Sequence, residues 1–181
     1  MTTPATIIGL QATDSTDVKT HLLALSRSLE ARIGSTEPTA LVVATLQTAG
    51  MLTGRTREAF ERIAASGAAT YLAGTGTPAV ALPGVTWIPI PYRHPLRQEW
   101  TVIIIRERDS VALVSREIAP PLAEERPADA MRRFHWRMIQ DPALVLRCAN
   151  AVIDVRHSRA MPNQTPPTRG LLTPDRRLAG G

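Results

Sequence analysis

The segment His94-Pro95-Leu96-Arg97-Gln98-Glu99-Trp100 has the most unusual combination of side chains in the chain. Glu99 and Trp100 begin an apolar run, and on a strand their side chains must point to opposite faces. A carboxylate at the entrance of a covered strand needs a partner, such as an arginine or a backbone amide. The segment is therefore either a ligand site, with His94 and Arg97 as further candidate contacts, or a structural corner. In the second case Trp100 packs in the core and Glu99 ties down a loop.

The stretch Arg132–Arg137 mixes cations and aromatic rings. Its pattern predicts a helix over residues 129–139, with Phe134 in the core and Trp136 on another side. Trp136, with Arg132 and Arg133 one turn behind it, is then a candidate for stacking on a base or on an aromatic side chain of a partner. The alternative is that arginine stems cover Trp136 beneath the preceding loop.

Recognisable catalytic and metal-binding motifs are absent from the sequence. Gly74-Thr75-Gly76 leads into Pro78 and more loop, whereas a phosphate cradle opens a helix, so a plain turn is predicted. The four histidines do not pair at metal-ligand spacing, and Cys148, the single cysteine, is not near any of them in the sequence. Nucleophile-elbow and zincin motifs are also missing. We therefore predict a non-enzyme without a metal site, and the residues identify no cofactor.

Size and composition predict one soluble domain followed by a tail. The 181 residues are 44% hydrophobic, enough for a core without disulfides. A single cysteine fits a reducing compartment, and no segment resembles a signal peptide or a membrane span, so we expect a cytoplasmic protein.

The net charge of +5 is concentrated in residues 158–181, where four arginines face one aspartate. This Pro- and Gly-rich tail is predicted to be disordered. The body is only mildly basic, which argues against nucleic-acid binding by the folded part. Lys19 is the only lysine in the chain.

Hydrophobic periodicity predicts an α/β, mixed α+β fold with about five strands in a mixed sheet and about four helices around it. Leu22, Leu25 and Leu29 lie on one stripe of a helix over residues 17–33, which Ser15, Thr16 or Asp17 could cap. A second helix, opened by Thr53 or Thr56, separates strands at 41–46 and 69–73, so these two strands should be parallel.

The later elements follow from local signals. Prolines predict that the segment 85–90 either lies at a sheet edge or is brief. Residues 100–105 and 111–114 should form an antiparallel hairpin. Asp141 followed by Pro142 marks the start of the last helix.

Several of these blocks, in order, resemble the DICT sensory domain of bacterial diguanylate cyclases, two-component proteins and helix-turn-helix regulators. HPLRQEWTVIII is similar to the family's acidic-Pro-Leu-x-x-Glu-Trp segment and the strand after it. VALVSRE, HLLALSRSLEAR and RRFHWRMIQDPALVLRCAN resemble its next strand, first helix and terminal helices. Leu46-Gln47 stands where members often carry Phe-Gln, and His94 stands where an acidic residue is usual. The resemblance spans residues 18–157 and makes 1–157 a single sensory domain.

The resemblance implies a signal-input module linked to light or other environmental responses, with a ligand that the family pattern does not define. Since no output domain fits in the 17 residues before it or the 24 after it, we expect action in trans on a partner regulatory protein, or through a homodimer. The alternative is a ligand-free interaction or assembly module that uses Trp136, its arginines and the basic tail. The candidate ligand- or partner-binding residues are Gln47, His94, Arg97, Glu99, Trp100, Arg116, Arg133 and Trp136.

Overall fold

A seven-stranded mixed sheet runs through the part of the chain that the computed structural model describes, residues 1–33, 40–119 and 128–158. The strands are β1 (Ser15–Val18), β2 (Leu41–Thr48), β3 (Ala69–Thr75), β4 (Val85–Pro89), β5 (Glu99–Ile105), β6 (Ser110–Glu117) and β7 (Arg133–Ile139). The helices are α1 (Pro4–Ile7), α2 (Lys19–Ala31), α3 (Gly54–Ala65), α4 (Pro142–Ile153) and α5 (Val155–Ser158). Short 3-10 turns cover Ala49–Met51, Pro95–Gln98 and Asp129–Met131.

The strand order is β1-β7-β6-β5-β2-β3-β4. Strands β2, β3 and β4 are parallel, and all the other neighbours are antiparallel. The predicted parallel pair around α3, the β5–β6 hairpin and the edge position of the proline-containing strand are all confirmed. The mixed α+β prediction is confirmed as well, although it has two strands too few.

The sheet separates two cores. Alternate side chains of β2 and β5, such as Val42 and Ile104, pack with buried residues of α2 and α3 on one face. Their neighbours, such as Val43 and Ile103, pack with α1, α4 and α5 on the other face. Coverage on both faces explains why these central strands are continuously apolar rather than alternating.

The helix predicted over residues 129–139 is wrong. Only Asp129–Met131 forms a 3-10 turn, and Arg133–Ile139 is strand β7, which pairs with both β6 and β1. Phe134, Trp136 and Met138 all pack against the α2–α3 core, with the two-residue period of a strand. The backbone hydrogen bonds offered by two neighbouring strands outweigh a weak local helical pattern.

The second strand that the sequence did not predict is β1, which occupies the predicted start of the first helix. Asp17 and Val18 pair with Phe134 and Arg133, so α2 begins only at Lys19 and none of the expected capping side chains serves it. The caps of the later helices are better predicted: Thr53 is the N-cap residue of α3. Asp141 Oδ1 accepts a hydrogen bond from the Leu144 amide at 2.8 Å at the start of α4.

Two sequence-based predictions fall on residues that the structure does not describe: the loop at 120–127, and the tail from 159 onward. Within the described part, no helix has the length and apolar character needed to cross a membrane.

Candidate functional site: the groove between α2 and α3

A groove of about 920 Å³ opens between α2 and α3 on one face of the sheet. Leu46 of β2 and Trp100 of β5 line it from the sheet, while Leu23 of α2 and Ile63 of α3 line its walls. The Trp100 ring is fixed by edge-to-face contact with Phe134, with ring centroids 6.1 Å apart. A concave, largely apolar space of this volume lies within the range of small-molecule sites.

Polar side chains also line the groove: Lys19, Gln47 and Asp129 and, from the two helices, Arg27, Glu30, Arg55, Glu58 and Arg62. The Lys19 ammonium donates a hydrogen bond to Asp129 Oδ2, and Asp129 Oδ1 accepts a second one from Arg132 Nη1 at 3.1 Å. The two partners differ in exposure, since the Lys19 side chain is 9% exposed and that of Asp129 is 66% exposed. The hydrogen bond from Lys19 is the main reason that the pKa of Asp129 is lowered.

Gln47 has a left-handed backbone conformation, which could not be predicted from the sequence. Its φ is +62°, and it lies in a bulge where the pairing of β2 with β3 shifts register. A non-glycine residue in this left-handed region costs about 1–2 kcal/mol. The side chain compensates, because Oε1 accepts from Arg132 Nη2 at 2.8 Å and Nε2 donates to Glu117 Oε2 at 3.3 Å. Strained residues of this kind cluster at functional sites.

Arg132 connects the groove to the end of β6. Its Nε donates to Glu117 Oε1 at 2.6 Å, and its Nη2 donates to the other oxygen of the same carboxylate. This two-pronged pairing is the main cause of the raised pKa of Arg132. We call Lys19, Asp129, Arg132, Glu117 and Gln47 the polar network; it runs from the groove to the point where β6 ends and β7 begins.

The wall of the groove also contains a half-buried carboxylate, Glu30 of α2. Burial raises its pKa, against the opposing effects of the Ser26 hydroxyl, which donates to Glu30 Oε1 at 3.0 Å, and of nearby Arg27 and Arg62. Glu30 is thus a carboxyl group of the wall whose own charged form is disfavoured by burial.

Glu99 lies on the face of the sheet opposite to Trp100 and does not enter the groove. Its fully buried carboxylate accepts hydrogen bonds from the Thr3 hydroxyl, from the Ala5 amide at 3.1 Å and from Arg116 Nη2 at 3.1 Å. The expectation that Glu99 needs an arginine or a backbone amide is confirmed, and it has both. Glu99 and Arg116 thus fasten the N-terminal segment, as in the structural-corner interpretation, while Trp100 lines the groove.

His94 is the N-cap of the 3-10 turn Pro95–Gln98. Its Nδ1 accepts a hydrogen bond from the Leu96 amide at 3.2 Å, which a carboxylate at this position could also do. Burial, with a smaller effect from the N-terminal amino group, lowers the pKa of His94. His94 also borders a second cavity of about 380 Å³, together with Met1 and Asp154. His94, which stands where the family usually has an acidic residue, therefore caps this turn and does not line the groove.

The remaining candidates do not gather at one place. The Arg97 guanidinium lies 4.4 Å from the centre of the exposed Tyr92 ring. Arg133 is exposed, and it is on the opposite face of β7 from Trp136, which is half-buried against α2 and makes an edge contact with His21. Arg133 and Trp136 therefore do not form the joint surface that a helix was expected to create. Of the eight candidates, Gln47 and Trp100 line the groove.

Sequence reasoning missed Lys19, Asp129 and Glu117 as site residues, and it considered Arg132 only as part of a stacking patch beside Trp136. The one signal for Lys19 was its position as the only lysine in a chain with 20 arginines. The other three come together only through the pairing of β7 with β6 and β1. In the described residues, no group of three or more His, Cys, Asp or Glu side chains could hold a metal ion.

A three-layer domain with an internal groove and a polar network at its end is typical of a binding module. The family model DICT, described as a sensory domain in diguanylate cyclases and two-component systems, matches residues 10–117, more than half of the chain. The chain therefore belongs to the DICT family. Comparison with curated proteins and with solved structures found no match. The matched range covers β1 to β6 and includes Lys19, Gln47, Trp100 and Glu117, whereas β7 and α4 lie beyond it.

Proposed function

We propose that this DICT domain is a sensory input module whose signal is a small molecule bound in the groove between α2 and α3. The observation that supports this most strongly is the meeting of three features at one site. These are a cavity of about 920 Å³, Trp100 from the Pro-Leu-x-x-Glu-Trp segment, and the left-handed Gln47. A module without a ligand would gain stability by filling such a space and by relaxing the strained residue.

The polar network offers a route by which binding could be communicated. A ligand changes the state of a protein only if it interacts differently with the two states. Lys19 and Gln47 face the groove, and both are hydrogen-bonded to groups near the β6–β7 connection. We propose that occupancy of the groove alters this region and that a partner regulatory protein, acting in trans, reads the change. A light response would require that the ligand be a chromophore.

The alternative function, a ligand-free interaction module built on Trp136 and its arginines, has less support. Trp136 packs partly against α2, and Arg133 projects from the other face of the strand. The Trp136 indole Nε1 is buried and has no hydrogen-bond partner within the described ranges. A buried donor is not available to a partner protein at the surface.

The proposal is tested by obstructing the groove. Ala59 lines the groove from α3, so Ala59→Trp should weaken the binding of any groove ligand at least tenfold. Ala65→Trp is the matched control, since Ala65 is an exposed residue of the same helix outside the groove. The ligand is first identified by native mass spectrometry and absorption spectra of the purified protein, followed by thermal-shift screening of a metabolite panel.

Binding that survives Ala59→Trp unchanged would exclude the groove as the input site. A protein of apo mass, colourless and without a thermal shift in the whole panel, would contradict the sensory proposal. A coloured protein would support a light response.

A further inference from the structure

We infer that the groove selects an amphipathic acid: a molecule with one carboxylate, which replaces Asp129 on Lys19, and an apolar body that lies on Leu46, Ile63 and Trp100. This inference rests on the proposed function, because it assumes that the groove is the ligand site. It adds the chemical class of the ligand and the residue that selects it.

Lys19 requires an anion. Its side chain is almost completely removed from solvent, and its backbone amide is fastened to the Arg132 carbonyl oxygen at 2.8 Å. A buried ammonium without a counter-charge is strongly destabilising, because its hydration is lost and nothing replaces it. Asp129 provides the one carboxylate that contacts Lys19 in the described part of the chain. Any ligand that displaces Asp129 must therefore bring a negative charge of its own.

Asp129, in contrast, can leave at little cost. Two-thirds of its side chain is already exposed, so water can solvate the carboxylate when Lys19 is taken away. Its Oδ1 would also keep the hydrogen bond from Arg132 Nη1 at 3.1 Å. When the ligand carboxylate replaces Asp129, the charge of Lys19 is paired with the ligand, and the charge of Asp129 is solvated by water and hydrogen-bonded to Arg132. An alcohol or an amine in the same position would leave the Lys19 charge without a partner, which favours an acid over both.

The rest of the groove offers an apolar surface to the body of the ligand. Leu23, Leu46, Ile63 and Trp100 provide the apolar surface. The helix walls carry Glu30 and Glu58 together with Arg27, Arg55 and Arg62, so acidic and basic side chains are both present beside the apolar surface.

Replacement of Asp129 by the ligand carboxylate on Lys19 would also initiate the signal. Asp129 begins the 3-10 turn Asp129–Met131 and is held by both Lys19 and Arg132. Loss of the Lys19 contact leaves the Asp129 side chain bound to Arg132 alone. Arg132 in turn holds Glu117 and Gln47, so the whole polar network responds to the head group of the ligand.

The experiment is calorimetric titration of the full chain at neutral pH with straight-chain acids of eight to twelve carbons and with alcohols of the same lengths. We expect the acids to bind at least tenfold more tightly than their matched alcohols. Lys19→Met should abolish this difference by weakening the acids alone. Asp129→Asn should strengthen the binding of acids severalfold, because the competing internal carboxylate is removed. Arg147→Gln, which removes an exposed cation of α4 on the opposite face of the sheet, should change the affinities less than twofold.

Opposite responses to the two variants are the decisive result. If Asp129→Asn weakens the binding of acids as Lys19→Met does, the ion pair merely supports the groove and the inference is overturned. Equal affinity for acids and alcohols, both abolished by Ala59→Trp, would overturn the acid selectivity while leaving the groove as the ligand site. If Lys19→Met fails to fold, the sign of the Asp129→Asn effect decides alone. Absence of acid binding to the unmodified protein would also overturn the inference.

Discussion

Replacing Glu99 with glutamine should lower the free energy of unfolding by about 2–3 kcal/mol. The carboxylate is fully buried and accepts hydrogen bonds from three donors, the Thr3 hydroxyl, the Ala5 amide and the Arg116 guanidinium. Glutamine offers one acceptor oxygen and an NH₂ group that can only donate. Neither the Ala5 amide nor Arg116 can become an acceptor, so at least one of these two donors must lose its partner.

The magnitude follows from these contacts. An unsatisfied buried donor costs about 1–3 kcal/mol. Loss of the charge adds a smaller amount, because the Arg116 side chain is 35% exposed and water compensates part of its charge. The effect should be local to the face that carries α1, since Trp100 points to the other side of the sheet.

Urea unfolding of both proteins gives the change in stability, and hydrogen exchange of the Ala5 amide shows whether the N-terminal segment is released. The matched control is Glu107→Gln in the exposed turn between β5 and β6, which should stay within about 0.5 kcal/mol of the parent. A Glu99→Gln protein that is as stable as the control, with the Ala5 amide still protected, would refute the fastening role of Glu99.

Three further predictions concern single residues. In urea unfolding, Gln47→Gly should be more stable than Gln47→Ala by about 1 kcal/mol. Both variants lose the side-chain contacts, but only glycine adopts a φ of +62° without strain. Equal stabilities would contradict a left-handed backbone at this position. Cys148 should not react with a thiol reagent at pH 8 in the native protein but should react in denaturant, since burial raises its pKa to about 11; rapid native reaction would contradict this burial. The lowered pKa of His94 means that the folded state resists its protonation, so stability should fall as the pH drops below the ordinary histidine value of 6.5. His94→Asn keeps a capping acceptor and should reduce this fall; an identical pH dependence of the two unfolding midpoints would assign it to other groups.

Local sequence signals predicted the central part of the fold well. Continuous apolar runs marked the buried strands β2 and β5, and prolines marked the edge strand β4, because these features reflect burial and hydrogen bonding at the residue itself. Asp141 before Pro142 located the start of α4 for the same reason. The signals failed at β1 and β7, whose few residues fit a helix about as well as a strand until the neighbouring strands are present.

The candidate site was harder to predict than the fold. Trp100 attracted attention through the unusual segment 94–100 and Gln47 through the family resemblance, yet Glu99, next to Trp100, belongs to the opposite face. Lys19 and Asp129 are 110 positions apart in the chain and meet only because β7 brings Arg132 beside the start of α2. No local pattern encodes such a contact.

The sequence by itself determined which segments are buried, the alternation that separates Glu99 from Trp100, and membership of the DICT family. These properties depend on side-chain type and on the two-residue period of a strand, both of which are local. Only the tertiary structure decided that β7 is a strand, that Glu99 holds the N-terminal segment and that Lys19 is buried in the groove beside an exposed Asp129. Each of these depends on which distant backbone or charge lies nearby after folding, and that is a property of the whole domain rather than of any segment.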